Sequence, residues 1–166
     1  PSDGVVGDTP LPGVTRLTLN RPDSFNALSA DMMTALQAAL DEASKDKACR
    51  VVVLAAAGRA FCAGHDLREM SAQPDLAFYQ RLFAQCSRMM LTVQAMPQPV
   101  IAQVQGIATA AGCQLVSMCD LAVAADTAKF AVSGIHYGLF CATPSVGLSR
   151  NVGRKQAMEM LLTGDF

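Results

Sequence analysis

Two short stretches hold most of the residues that could do chemistry. The first runs from Gln105 to Asp120, Gln-Gly-Ile-Ala-Thr-Ala-Ala-Gly-Cys-Gln-Leu-Val-Ser-Met-Cys-Asp. It carries no charge between Gly106 and Gly112, where small residues dominate. Val100 to Val104 feeds into it, and Leu115, Val116, Met118 and Cys119 follow at the spacing of a buried helix. The pattern reads as a strand, a tight turn and a helix N-terminus. Such an N-terminus presents backbone N–H groups without acceptors and the positive end of a dipole, and small side chains let a ligand oxygen approach that backbone. Close helix–strand packing would ask for the same Gly and Ala, so both readings stand on this stretch alone. The second stretch, Phe61-Cys62-Ala63-Gly64-His65-Asp66-Leu67-Arg68-Glu69-Met70, places small residues and a lone histidine after a strand and a turn.

The remaining candidates are sparse. His136 and Tyr137 could supply a proton donor, or could face solvent or a second subunit. Asp66 and Asp120 read as residues that close a turn and start a strand. Cys113 and Cys141 could border a pocket, but a thiolate nucleophile needs a base or a cation beside it, and packing is the better reading. Two distant histidines with no carboxylate or cysteine grouping give no metal-ligand spacing, so no metal is expected.

The elements that would position these residues alternate between strand and helix, which argues for an α/β fold. Val14 to Asn20 reads as a strand closed by Arg21-Pro22-Asp23-Ser24. Ser29 is placed to cap a helix reaching about Ser44, with Met32, Met33, Leu36, Leu40 and Ala43 on one face. Val51 to Ala55 is a strand, ended by Gly58-Arg59-Ala60. Pro74-Asp75 opens a long helix in which Tyr79, Leu82, Phe83, Cys86, Met89, Met90 and Val93 recur at helical spacing as core or subunit contact, until Pro97 and Pro99. Leu121 to Ala125 and Phe130 to Ser133 read as strands, Gly134 to Gly147 as a loop, and Arg154 to Leu162 as a helix ending at Thr163-Gly164.

Composition narrows the class. The chain has 166 residues, 51% hydrophobic and only 16% charged, against a usual charged share of about a quarter. This implies a well-buried core or surfaces meant for partner subunits. A net charge of -1 without a basic block gives no field for nucleic acid. No apolar run approaches the length of a membrane span. Six cysteines form no C-x-x-C pair, as expected of a reduced intracellular protein; a cytoplasmic location is expected, with mitochondrial targeting left open. Residues 1–13, rich in Pro, Gly and Asp, are expected to be a flexible segment ahead of one domain spanning 14–166.

Four pieces, taken together, resemble the enoyl-CoA hydratase/isomerase family, the crotonases: Leu19-Asn20-Arg21-Pro22 with Asn26-Ala27-Leu28; Phe61 to Leu67; Ala111-Gly112-Cys113-Gln114-Leu115 through Cys119-Asp120; and Gly153 to Gly164. They occur in that family's order and at roughly its spacing. The resemblance implies a spiral of ββα turns assembled as a homotrimer or hexamer, no permanently bound cofactor, and a coenzyme A thioester as substrate or ligand. It implies an oxyanion hole made by the backbone N–H groups of His65 and Ala111, with Ala63, His65, Asp66, Leu67, Arg68 and Ala111 along the CoA-binding crease. Arg21 or Arg68 could meet CoA phosphates or serve in surface salt bridges. The resemblance also implies a helical extension beyond Thr163-Gly164, which is expected to be missing from a chain that stops at Phe166.

The sequence departs from the family where the reaction is decided. Hydratases of the family hold a water between two glutamates. Those positions are Gln114 and Gly134 here. Gln can orient a group but cannot exchange a proton at neutral pH, and Gly offers no side chain. Each general acid or base is typically worth about 10²–10⁴ in rate, so hydration by the usual route is expected to be weak or absent. Two further readings stay open. Gly64-His65-Asp66 resembles a decarboxylase branch acting on malonyl-type CoA, with Cys141 where that branch uses a tyrosine. The chain could also be a non-catalytic CoA-binding or assembly protein.

Overall fold

The computed structural model describes residues 4–166. It begins with an antiparallel pair, β1 (Val5–Leu11) and β2 (Val14–Leu19). Residues 5–11 were expected to be flexible and instead form an edge strand. Gly7 and Pro10 mask its strand character, and an edge tolerates both. Arg16 and Asp8 clasp across the pair in a two-pronged ion pair, at 2.9 and 2.7 Å. Residues 1–3 of the expected flexible segment lie outside the described residues.

The hairpin leads into α1 (Ala30–Lys45), where the Ser29 hydroxyl accepts the Met32 N–H at 3.1 Å. Met32, Met33, Leu36, Leu40 and Ala43 are all buried, as the periodicity predicts. From there the chain repeats a ββα unit. The first is β3 (Val51–Ala56), β4 (Ala60–Cys62), a short α2 (Leu67–Ala72) and the long α3 (Leu76–Ala95). The second is β5 (Val100–Val104), β6 (Ile107–Thr109) and α4 (Ala111–Met118). The third is β7 (Leu121–Ala124), β8 (Lys129–Ala131) and α5 (Ala142–Asn151), followed by α6 (Arg154–Thr163). The first strands of the units join one sheet in the order β1-β2-β3-β5-β7, and the second strands stack as β4-β6-β8. Apart from the first hairpin all pairings are parallel. This is the α/β spiral of ββα turns that the resemblance implies.

Two of the expected boundaries shift. The turn after β5 hides a separate strand, β6, too short to show a period. Residues 134–147, read as a loop, contain a 3-10 turn (Ser133–Tyr137) and most of α5. Pro144 lies in the first turn of α5, where the N–H it lacks would have had no acceptor. Gly147 lets α5 press on α4, since a Cβ there would fall 2.5 Å from the Ser117 hydroxyl. Punctuation residues therefore serve helix packing in this segment.

The main core lies between the large sheet and helices α1, α3 and α4, around Leu19, Leu36, Leu54, Phe61, Met89, Met90 and Leu115. The methionine stripe of α3 is core. A smaller cluster around Cys113, Val132, Cys141, Leu148, Ala157 and Leu161 joins α4 to α5 and α6.

Candidate functional site

The site forms where the second strands of two repeat units hand over to helices. After β4 the chain turns at Gly64, with φ +89, and reaches His65. Asn26 holds this turn from beneath. It is fully buried, its Oδ1 accepts the Arg21 N–H at 2.8 Å, and its Nδ2 donates to the carbonyls of Ala57 and Ala60 at 2.9 Å. The neighbouring backbone completes the clamp: Leu28 N–H donates to Gly64 O at 2.7 Å, and Ala63 N–H to Phe25 O at 3.1 Å. On the far side of His65, the Asp66 carboxylate caps α2 through the N–H groups of Arg68 and Glu69, and Glu69 accepts the Ala30 N–H at 3.0 Å. The Asn26-Ala27-Leu28 piece thus braces the histidine turn.

The second turn is set by Ala110, whose φ 51 and ψ −122 lie outside the regions an L-residue favours. Its N–H donates to Ala131 O at 3.0 Å, which ties the turn to β8. Ala111 is the first residue of α4, so its N–H has no acceptor within the helix. Gly112 brings the helix against β4: a Cβ there would lie 2.1 Å from Cys62 O. The two turns touch, because a Cβ on Gly64 would lie 3.2 Å from Ala111 N. Among the described residues neither the His65 nor the Ala111 N–H finds a hydrogen-bond acceptor.

Both turns open on a cavity of about 700 Å³, walled by Met70, Phe83, Leu139, Phe140 and Pro144 among others. Among the described residues its polar side chains are those of His65, Thr109, Ser133, Tyr137 and Thr143, together with the Cys141 thiol, and its lining includes no Asp or Glu. The His65 ring meets Phe83 edge-on, with centroids 5.2 Å apart. Its Nδ1 is buried without a partner among the described residues. Burial pushes its pKa below the ordinary histidine value, against a smaller opposing pull from the Leu28 backbone, so the ring is neutral at pH 7. A larger, polar groove of about 850 Å³ lies between α1 and α3 and shares no residue with this cavity.

The predicted residues separate clearly. Ala63, His65, Leu67 and Ala111 line the cavity, as do Gly134, Tyr137 and Cys141. Asp66 and Arg68 do not: Asp66 caps a helix, and Arg68 is exposed. Gln114 lies one helical turn beyond Ala111, only 6% exposed, with Oε1 lacking a partner among the described residues, and it is not in the lining. Gly134 is closely packed: a Cβ there would fall 2.7 Å from both Cys141 Sγ and Leu139 O. His136 is exposed, 3.8 Å from the Asp165 carboxylate. Asp120 accepts the Val100 N–H at 2.7 Å, a strand-starting role. Burial raises the Cys113 thiol to about 11 and also lifts that of Cys141, so both are protonated packing groups at neutral pH. Among the described residues no group of three or more His, Cys, Asp or Glu could hold a metal ion. No helix among the described residues is long and apolar enough to cross a membrane. The sequence reading missed Phe83, hidden in the periodic face of α3, and the Thr109 and Ser133 hydroxyls, which no motif marks.

Residues 11–166 match the model of the enoyl-CoA hydratase/isomerase family. The chain belongs to that family. The enoyl-CoA hydratase domain-containing protein 3, mitochondrial, of Xenopus laevis is 46% identical over 153 residues, covering 92% of this chain and 52% of its own length. An enoyl-CoA hydratase crystal structure from Mycobacterium smegmatis is 61% identical with a TM-score of 0.95, over 98% of this chain and 63% of that one. The crystal structure of the human enoyl-CoA hydratase domain-containing protein 3 follows at 41% and 0.93, over 98% and 64%. The fold is therefore that of the crotonases. The chain spans about half the length of the curated relative from Xenopus laevis and under two thirds of the two solved structures.

Proposed function

We propose that this enoyl-CoA hydratase/isomerase family member binds an acyl thioester of coenzyme A, and that the N–H groups of His65 and Ala111 hold its carbonyl oxygen as an oxyanion or enolate. The thioester is substrate or ligand, and no cofactor is bound permanently. The observation that carries this reading is the pair of touching turns in the cavity lining, where, among the described residues, the two N–H groups lack acceptors and no carboxylate is present. Each such donor is worth roughly 10²–10³ in rate when negative charge develops on oxygen. Gln114 lies beneath the lining and can only orient. Ala63 and Leu67 border the crease in this reading, while Asp66 and Arg68 shape it through the α2 turn. Assembly into a homotrimer or hexamer would cover the exposed lip of Tyr137, Leu139 and Phe140.

Hydration of crotonyl-CoA by the full-length protein tests the reaction. The expected result is measurable acyl-CoA binding with turnover at least 10³-fold below that of two-glutamate enzymes, following the worth of the missing acid and base. Turnover near theirs would sink the reading.

The place of His65 in the cavity lining favours one second reading, decarboxylation of a malonyl-type thioester. Carbon dioxide leaves, and the N–H pair stabilises the enolate that remains, with no base needed on carbon. Full activity of a His65→Ala variant on such a thioester would remove His65 from it. A purely structural role would show as no binding of any acyl-CoA by the assembled protein in calorimetry. The compartment follows the host cell in this account: a frog relative is named mitochondrial and a bacterial structure shares 61% identity. The six buried free thiols require only that it be reducing.

A further inference from the structure

The cavity holds one hydroxyl pair amid its largely apolar walls. Thr109 Oγ1 and Ser133 Oγ lie 2.8 Å apart, and both residues line the cavity. Strand register puts them there. Thr109 pairs with Ala131 at the end of β6 and β8, after which the first chain enters α4 and the second enters the 3-10 turn at Ser133. The two hydroxyls bridge the strands where they part. Thr109 is two residues before Ala111, and Ser133 directly precedes Gly134. The pair is therefore adjacent in sequence both to a backbone donor and to Gly134.

Neither hydroxyl has another partner among the described residues. Two hydroxyls in contact consume one hydrogen between them; the acceptor keeps its own hydrogen, and both oxygens keep lone pairs. The pair thus offers the cavity one free donor and several acceptor sites. A plain alkyl chain would leave these groups unsatisfied once water is expelled, at a cost comparable to a lost hydrogen bond. An oxygen on the acyl chain would satisfy them.

The geometry points to a specificity element: the Thr109–Ser133 pair recognises an oxygen substituent, hydroxyl or carbonyl, on the acyl chain of the bound thioester. This rests on the thioester reading above. With no carboxylate in the lining among the described residues, the pair holds such an oxygen without drawing a proton from carbon. The oxygenated thioester is retained as a ligand and is not formed there by addition of water.

Calorimetric titration of the full-length protein with butyryl-CoA, 3-hydroxybutyryl-CoA and acetoacetyl-CoA tests this. The oxygenated thioesters should bind about tenfold more tightly than butyryl-CoA, as one or two hydrogen bonds allow. Ser133→Ala and Thr109→Val should each bring that ratio to within about twofold of unity, and Ser133→Thr, which keeps the hydroxyl, should preserve it. Equal affinities in the parent protein, or a ratio unchanged in both hydroxyl-deleting variants, would overturn the assignment; the parent comparison stands even if a variant does not fold. Failure to bind any of the three thioesters is a different result. It would remove the thioester reading itself and the assignment with it.

Discussion

The backbone turns at Gly64–His65 and Ala110–Gly112 and the side-chain positions 114 and 134 share one site but answer to different constraints. The turns are over-determined. Asn26, the Leu28–Gly64 bond, the Asp66 cap and the contact of Gly112 with Cys62 O all fix where two N–H groups point. The side-chain positions take no part in directing those N–H groups, although packing at Gly134 admits no side chain. Gln114 is buried with an unpartnered oxygen, and Gly134 is closed over by Cys141 and Leu139. A donor built from backbone survives as long as the fold does, whereas an acid or base built from a side chain can be lost without disturbing the frame. Under the proposed reading, the ligand grip and the reaction are therefore separable.

The comparison breaks most completely at Gly112. Gly112→Val would drive side-chain carbon into the Cys62 carbonyl and its neighbours, which lie 2.1–2.9 Å from the added Cβ, and backbone on both sides cannot yield. Loss of folding, or a stability loss of at least about 4 kcal/mol, is expected in thermal and denaturant melts. A variant that melts like the parent would show that the two turns are not held together by this contact.

Such contacts explain what could be read in the sequence. The helical faces of α1 and α3 were legible because Met32, Met33, Leu36, Leu40, Met89 and Met90 recur with the helical period and are buried. The turns at Gly64–His65 and Ala110–Gly112 were legible as a family motif, and their glycines are required by close approach. Strands β4, β6 and β8 are three residues each, too short for a period, so of the second sheet only β8 was legible as a strand, at Phe130 to Ser133. Helix α5 was obscured by Pro144 and Gly147, whose roles depend on neighbours distant in sequence. Thr109 and Ser133 are 24 residues apart and meet only because β6 and β8 pair in one register. The exclusion of Gln114 from the lining is likewise a matter of depth along α4, which sequence alone does not give.

The next largest effect concerns positions 114 and 134. Writing Glu at 114 and 134 together should not create a hydratase, because Gly134→Glu meets Cys141 Sγ and Leu139 O at 2.7 Å. The double variant should lose about 1–3 kcal/mol of stability through overpacking and hydrate crotonyl-CoA within about tenfold of the parent, well short of the 10²–10⁴ a placed acid or base supplies. Adding Cys141→Ala relieves one contact and leaves the carbonyl. A double variant with full hydratase turnover would show the loop to be freely movable.

A smaller effect should appear with pH. The folded state holds His65 below its ordinary pKa of 6.5, chiefly because burial disfavours the cation. The unfolded chain therefore binds the proton first. Stability from the neutral ring is fully present above about 6.5 and is lost as pH falls from there through the folded value, following the linkage sign. Melting temperatures of parent and His65→Gln between pH 7.5 and 5 should converge as the pH falls, the parent showing the steeper loss. Parallel curves would mean that the ring is solvated and that the cavity wall at Phe83 is open.

The smallest effect would sharpen what holds the frame. Ala110 sits at φ 51 and ψ −122, a conformation open to glycine and costly to alanine, of order 1–3 kcal/mol. Ala110→Gly relieves that strain but adds backbone entropy to the unfolded chain, worth roughly 0.5–1 kcal/mol. The net is a stabilisation of about 0–2.5 kcal/mol, read as a higher denaturant midpoint at unchanged slope. The Ala110 methyl also stands at the face of Gly64, 2.9 Å from where a Cβ would be built there. If that methyl helps hold the two N–H groups in line, Ala110→Gly should gain stability and weaken acyl-CoA binding together. If the clamp at Asn26 and the Gly112 contact suffice, stability rises and affinity stays. The opposite signs of the first outcome would mark the strained turn as shaped for the ligand.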